Sequence, residues 1–162
     1  MQAGDIVVCT SKGLIGASIR WAQKRSGEKD WDKNHVAVLN EQVGNDWTVI
    51  QADAAGVTDN ELLSTIAPGG SYSIINLPST IDRGRFLTFL RTQVGSKYGY
   101  LSIVSCSFDM WLPDAICLRR ADTWICSGLV AGALWFCGFP AAADWHDLYT
   151  VTPAEITAAL SK

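Results

Sequence analysis

The sequence predicts an α+β fold, in which a small antiparallel β-sheet packs against helices and a strongly apolar helix lies near the C-terminus. Two apolar segments, 35–40 and 47–53, flank a Gly44-Asn45-Asp46 turn, and this pattern is typical of a β-hairpin. A further uncharged, mostly apolar run follows Trp124 and stops at Gly138 and Pro140, as expected for a buried helix. Together these patterns favour segregated strands and helices over an alternating βαβ arrangement.

The elements before and after this hairpin follow from apolar spacing. A first strand is predicted over 5–10, and apolar residues from Leu14 to Ala22 recur at helical spacing, so a helix should follow. Further elements are predicted as a strand over 71–77, a helix over 80–94, a helical segment over 101–112 and an extended segment over 148–151.

Two capping boxes predict helix starts. Thr58-Asp59-Asn60-Glu61 has the S/T-x-x-E pattern, which predicts a short helix through Leu63. Thr152-Pro153-Ala154-Glu155 has the same pattern with proline at the first helical position, and predicts the last helix.

Length, charge and cysteine content restrict the possible classes of function. With 162 residues, 48% of them hydrophobic, the chain can bury one core, and we expect a single domain over 1–162. The net charge of −3 is spread over mixed patches, so no nucleic-acid partner is expected. The five cysteines form no C-x-x-C pair and no zinc-finger spacing, so no metal site is predicted. Their odd number fits a reducing compartment or at least one free thiol.

The sequence also bears on localisation. The N-terminus Met1-Gln2-Ala3-Gly4-Asp5 lacks the pattern of a secretory signal, so synthesis in the cytoplasm is expected. The uncharged segment 123–143 is divided by glycine and proline into roughly 16 helical residues, fewer than the roughly 20 that cross a bilayer. No transmembrane segment is therefore expected. The final location stays open and includes delivery out of the cytoplasm by a phage particle or a secretion machine.

Cys126 is the candidate nucleophile. A helix that begins at Asp122 or Thr123 and continues to Phe136 would place Cys126 near its first turn. Unpaired backbone N–H groups and the positive end of the helix dipole favour a thiolate there and could stabilise an oxyanion. The alternative is that Cys126 is one more small buried apolar residue.

His35 and Gln51 are candidate partners for this thiol. A thiol nucleophile needs an imidazole as base and a polar group that orients the imidazole. His35 begins one strand of the predicted hairpin, and Gln51 lies near the end of the other, where strand pairing could bring both side chains to the same face. Asp53 would share the face of Gln51 and is the alternative orienting residue. His146 follows Trp145 in an Ala-rich loop and lacks a strand partner, so it is the less favoured base.

These segments resemble a known enzyme family. Cys126-Ser127-Gly128-Leu129-Val130 is similar to the nucleophile motif of NlpC-type papain-like cell-wall peptidases, and Gly4-Asp5-Ile6-Val7 and His35-Val36-Ala37-Val38 resemble two of their strands. The cysteine motif comes last here, as in the circularly permuted branch that includes lecithin retinol acyltransferase-like enzymes. Val49-Ile50-Gln51-Ala52 and Gly95-Ser96-Lys97-Tyr98 resemble the segments that carry the third residue and an oxyanion-site tyrosine in that branch.

The resemblance implies a permuted papain-like domain with a specific chemistry. Cys126 would form a thioester acyl-enzyme, His35 would act as the base, Gln51 would orient it and Tyr98 would support the oxyanion. The implied reaction is cleavage of an amide, with peptide in the cell wall (peptidoglycan) as the expected substrate, and it requires no cofactor. Ile125 departs from the family, since an aspartate that binds the substrate amine commonly precedes the nucleophile.

Two alternatives to a cell-wall peptidase remain. The first is a thiol acyltransferase or esterase that acts on lipid, suggested by the permuted order and by the tryptophans Trp111, Trp124 and Trp145. The second is a binding module that keeps the fold without catalysis. The oligomeric state is not predicted by the sequence.

Overall fold

A five-stranded antiparallel β-sheet forms the centre of the computed structural model, which describes residues 1–11, 14–99, 123–145 and 147–161. Its strands are β1 (Ile6–Cys9), β2 (His35–Val43), β3 (Asp46–Asp53), β4 (Gly56–Leu62) and β5 (Tyr72–Ile75), arranged in the order β4-β3-β2-β1-β5. The predicted hairpin is confirmed as β2 and β3, which pair antiparallel with Val38 opposite Ile50. A separate parallel pair is formed by β6 (Lys97–Tyr98) and β7 (Thr123–Trp124).

Five α-helices occur in the described part of the chain. They are α1 (Leu14–Arg25), α2 (Leu63–Ile66), α3 (Arg83–Thr92), α4 (Cys126–Phe136) and α5 (Pro153–Leu160), with short 3-10 turns at Pro68–Gly70 and Pro140–Asp144. The α+β class is therefore confirmed. None of these helices is long and apolar enough to cross a membrane.

The alternation of side chains along the strands divides the core into two layers. On one face of the sheet, residues such as Val36, Val38 and Ile50 belong to the cluster that contains α4 and the apolar side of α3. On the other face, Ala37 and Leu39 belong to a smaller cluster closed by α2. The larger layer holds the N-terminus of α4 against the sheet.

The start of α4 differs from the sequence-based expectation. The helix begins at Cys126, Ile125 is its N-cap, and no side chain caps it. Thr123 and Trp124 are instead paired with Lys97 and Tyr98 in the parallel strands. The expected start at Asp122 or Thr123 was wrong for Thr123, because its backbone pairs with another segment; Asp122 lies outside the described residues.

The capping box at Thr58–Glu61 was also assigned wrongly. These residues lie within β4, where Thr58 is opposite Gln51 and Glu61 is opposite Val49. Pairing with a neighbouring strand satisfies many backbone groups at once and outweighs a local cap. Helix α2 begins only at Leu63, without a side-chain cap.

The boundaries predicted for the remaining elements agree in part with the structure. The strand predicted over 71–77 is shorter, and the helix predicted over 80–94 is α3, whose N-cap Asp82 accepts a hydrogen bond from Arg85 N. The segment 148–151 forms a turn rather than an extended piece, since Asp147 accepts hydrogen bonds from the backbone after it. The second capping box is confirmed at the start of α5. The helix expected over 101–112 lies outside the described residues.

Candidate active site

Cys126 occupies the first position of α4 and is 4% exposed. The backbone N–H groups of Val36, in β2, and Ser127, in α4, donate hydrogen bonds to its sulfur. The helix from Cys126 to Leu134 is buried along its whole length, so the position of the thiol is fixed by packing against the sheet. This arrangement places the sulfur at the positive end of the helix dipole.

His35 begins β2 and places its imidazole between the thiol and Gln51. Its Nε2 lies 2.6 Å from Gln51 Oε1, and its ring makes a second hydrogen bond with Cys126. Because Gln51 uses Nε2, Nδ1 is the ring nitrogen that faces the thiol. The ring therefore lies between the thiol and the Gln51 amide, and in the tautomer that carries its proton on Nε2 the lone pair of Nδ1 is available to the thiol.

The environment of this pair favours transfer of the thiol proton to the imidazole. Burial alone would raise the pKa of Cys126, but the hydrogen bond and charge of His35, with the N–H groups of Val36 and Ser127, lower it below the ordinary thiol value. Burial alone would lower the pKa of His35, but the hydrogen bond and charge of Cys126, the hydrogen bond of Gln51 and the charge of Asp53 raise it. Both shifts stabilise a thiolate–imidazolium pair.

Gln51 is connected to two carboxylates behind it. Its Nε2 donates to Glu61 Oε2 at 3.0 Å and to Asp53 Oδ2 at 3.3 Å. Of the two orienting residues that the sequence left open, Gln51 is the one that touches the imidazole, whereas Asp53 acts on His35 through its charge. The sequence did not indicate a role for Glu61 in the site, because Thr58–Glu61 has the pattern of a capping box.

A shift in strand register explains how Glu61 reaches Gln51. Strand β4 pairs with β3 so that Glu61 lies opposite Val49, but the register shifts before Gln51, which lies opposite Thr58. Such an irregularity bends a strand locally and redirects side chains. One feature of the sequence could have indicated this partner. Glu61 is acidic and lies ten positions after Gln51, beyond the Asp53–Gly56 turn, where the returning strand of a hairpin would place it.

The segment before His35 is held by buried amides that the sequence analysis also missed. Asn34 is 1% exposed and binds both backbone groups of Ser11, accepting from its N at 2.7 Å and donating to its O at 3.1 Å. Gln23, fully buried, donates to the carbonyls of Trp31 and Lys33 at 2.9 and 2.8 Å. These bonds fix the loop that leads into β2 and hence the position of the imidazole.

A cavity of about 610 Å³ opens at the pair and contains all four residues that the sequence predicted for the site. Its lining residues are Ser11, Gly16, Ile19, Asn34, His35, Gln51, Ala52, Asp53, Ala54, Glu61, Ile66, Tyr98 and Cys126. Tyr98 reaches it because β6 is docked on β4, where Val57 N donates to Ser96 O and Gly95 N donates to Val57 O, both at 2.9 Å. His146, the alternative base, lies outside the described residues.

The groups that could bind a metal are dispersed in the described part of the chain, where no three His, Cys, Asp or Glu side chains are placed to hold an ion. Neither a scan against protein-family models nor a search of curated proteins found a match to this chain.

Proposed function

We propose that the protein is a cysteine hydrolase of permuted papain-like architecture that cleaves an amide bond. The observation that carries this proposal is the continuous line from Cys126 through His35 to Gln51, with the thiol at the N-terminus of a buried helix. The order of the motifs along the chain, with the cysteine helix after the strands, supports the permuted arrangement.

The site residues suit a reaction in two stages. The Cys126 thiolate attacks the carbonyl carbon of the amide, and N–H groups in the first turn of α4 stabilise the oxyanion. His35 then donates its Nδ1 proton to the leaving amine as the C–N bond breaks, which leaves a thioester on Cys126. Water, deprotonated by His35, attacks the thioester, and the thiol and a carboxylic acid are released.

The proposed substrate is a peptide of the bacterial cell wall, on the strength of the resemblance of the motifs. Ile125 is apolar and 9% exposed, so the residue before the nucleophile offers no carboxylate for a substrate amine. Tyr98 lies in the same cavity as the thiol and is the proposed support for the oxyanion. No cofactor takes part in the proposed steps.

A lipid-directed reaction is the second candidate, and one feature of the cavity favours it. Ile19 and Ile66 give the cavity an apolar wall that could accommodate an acyl chain. Of the tryptophans that first suggested this function, Trp111 lies outside the described residues, and Trp124 supports it less. Trp124 stacks on Tyr149 and donates to Gln93 Oε1 at 2.9 Å.

The test is mass spectrometry of three sets of compounds, purified peptidoglycan fragments, acyl-peptides and lipids, after incubation with the protein. We expect peptide fragments that have gained one water, and no such product with Cys126→Ala. Release of fatty acid or acyl transfer alone would replace the first candidate with the lipid-directed one. Binding without any product, and without alkylation of Cys126, would contradict the enzyme and leave the non-catalytic module.

The histidines provide a matched pair for the same experiment. We expect His35→Ala to abolish turnover, since no other group in the described structure hydrogen-bonds to the thiol as a base. His146→Ala should retain most of the activity. The reverse result would move the base to the C-terminal loop and contradict the proposed triad.

A further inference from the structure

We infer that Glu61 is a positioning residue for catalysis, which fixes the side-chain amide of Gln51 so that its oxygen faces His35. This inference rests on the proposed function, because it concerns the imidazole that activates Cys126. Glu61 belongs to β4 and Gln51 to β3, so the contact joins two strands of the sheet.

The geometry gives each polar atom of Gln51 a defined role. Oε1 lies 2.6 Å from His35 Nε2, and Nε2 of the amide donates to Glu61 Oε2 at 3.0 Å. Gln51 is 2% exposed, so water does not compete freely for these atoms. Asp53 accepts from the same nitrogen at the longer distance of 3.3 Å, while its other oxygen accepts from Ala55 N at 2.8 Å. Glu61 is therefore the better-placed acceptor.

A neutral orienting residue needs such an acceptor. The two ends of a glutamine amide have nearly the same shape, so the side chain can rotate and present either O or NH₂ to the imidazole. A carboxylate only accepts hydrogen bonds, and Glu61 therefore holds the NH₂ end on its own side. The oxygen is then directed at His35.

The orientation of this amide decides which imidazole tautomer is stable. With Oε1 facing the ring, His35 keeps a proton on Nε2, and its Nδ1 lone pair can take the thiol proton. With NH₂ facing the ring, Nε2 must be unprotonated, the proton lies on Nδ1, and the ring cannot accept from Cys126. The imidazolium, which carries protons on both nitrogens, would likewise face a donor. Rotation of the amide would thus remove the thiolate–imidazolium pair.

The test uses alkylation of Cys126 by iodoacetamide, which needs no substrate and measures the thiolate directly. We expect Glu61→Gln to lower the second-order rate constant at pH 6–7 by about tenfold. A glutamine at position 61 can either accept or donate a hydrogen bond, so it no longer selects one orientation of the Gln51 amide. Glu41→Gln removes the same charge from an exposed position of β2, which β3 separates from β4, and should leave the rate constant within about twofold.

Exchanging the two groups separates positioning from structural support. In Gln51→Glu/Glu61→Gln, the carboxylate faces His35 and the amide at 61 can donate to it. We expect this double variant to be alkylated at least about threefold faster than Glu61→Gln. Addition of Gln51→Glu should thus restore part of the alkylation rate that Glu61→Gln loses. If Glu61 only supported the fold, the second substitution would not restore this rate.

The outcomes distinguish this inference from the proposed function. If Cys126 in the parent is no more reactive than Cys9 or Cys137, the proposed function fails. If Cys126 is reactive but Glu61→Gln leaves its rate within twofold of the parent, only the inference fails. Failure of both Glu61 variants to fold, judged by circular dichroism, would make Glu61 a structural residue and overturn the inference as well.

Discussion

Burial raises the pKa of the Cys126 thiol, whereas its hydrogen bonds and the charge of His35 lower it. The net effect is a pKa below the ordinary thiol value. Cys9 shows the effect of burial without a base, since desolvation and then the charge of Cys126 raise its pKa to about 11. At pH 7 such a thiol is ionised in only about one molecule in 10,000. Burial also raises the pKa of Cys137. The lower pKa of Cys126 comes first from His35 and then from the N–H groups of Val36 and Ser127.

We therefore expect iodoacetamide at pH 6–7 to modify Cys126 before the other cysteines, as measured by peptide mass spectrometry. His35→Ala removes the main cause that lowers the pKa of Cys126, so labelling should then shift to higher pH. Preferential labelling of Cys9 or Cys137 would contradict the assignment. Cys106 and Cys117 lie outside the described residues. We expect iodoacetamide to modify them later than Cys126 as well.

Gln51 allows a graded prediction. Gln51→Ala frees the imidazole to rotate and should lower kcat by about 10–100-fold with a smaller change in KM. Gln51→Glu should keep the contact at Nε2 and raise the pKa of His35 further, because a carboxylate stabilises imidazolium. In a thiolate–imidazolium pair, loss of the imidazolium proton forms the alkaline limb of the pH–rate profile. That limb should move to higher pH.

The result for Gln51→Ala also separates the two possible roles of the residue. A kcat within about twofold of the parent, a change of about 0.4 kcal/mol in the barrier, would show that Gln51 is only a strand residue. Asp53→Ala would then be the next variant to measure, since the charge of Asp53 also acts on His35.

At the scale of elements, α4 depends on close approach at its glycines. A Cβ atom on Gly128 would lie 3.1 Å from Ile125 Cγ1 and 3.3 Å from the carbonyl oxygen of Leu148. Both contacts are tighter than ordinary packing, and the second involves backbone that cannot rotate away. The glycine thus lets the turn around Leu148 pass against α4.

Gly128→Ala should therefore destabilise the protein, by about 1–3 kcal/mol, as crowding in a packed core usually does. Thermal unfolding followed by circular dichroism measures this. Gly84→Ala is the matched control, because Gly84 is exposed in α3 and its Cβ would meet only Asp82 Oδ1 at 3.4 Å. That variant should gain up to about 1 kcal/mol from helix propensity. A Gly128→Ala protein as stable as the parent would contradict the tight contact.

At the scale of the whole molecule, an ion pair between a buried carboxylate and a partly exposed arginine joins the start of the chain to α3. Asp5 is fully buried and accepts from Arg83 Nη1 at 2.9 Å, and its carboxylate also accepts from the backbone N of Gln2 and Leu77. Arg83 in addition donates to the carbonyl of Ala3 at 2.6 Å. The pair thereby fixes the start of β1, an inner strand of the sheet, to the helix that packs beside α4.

Arg83→Ala should destabilise the fold by about 2–4 kcal/mol, because it leaves the Asp5 carboxylate buried without its counter-ion. Urea denaturation gives the free energy of unfolding. The control is Glu41→Ala, which breaks an exposed pair with Arg91 at 3.6 Å and should cost less than about 1 kcal/mol. Equal losses in the free energy of unfolding for the two variants would show that burial of Asp5 adds no stability to its pair with Arg83.

Local patterns in the sequence were sufficient for several elements. Apolar segments on both sides of the Gly44–Asp46 turn determined the β2–β3 hairpin and thereby placed His35 and Gln51 on adjacent strands. The Thr152–Glu155 capping box determined the start of α5. In each case the stabilising contacts lie within a few residues or across one tight turn, so they are visible in the order of residues.

Tertiary structure decided the features that depend on distant segments. Pairing with Lys97–Tyr98 delayed the start of α4 to Cys126, and pairing with β3 made Thr58–Glu61 a strand despite its capping pattern. The bulged register then brought Glu61 to Gln51. The proximity of Cys126 to His35, across 90 positions of sequence, likewise requires α4 to pack on the sheet. Backbone pairing and core burial between remote segments outweigh local propensity, and a single sequence does not display them.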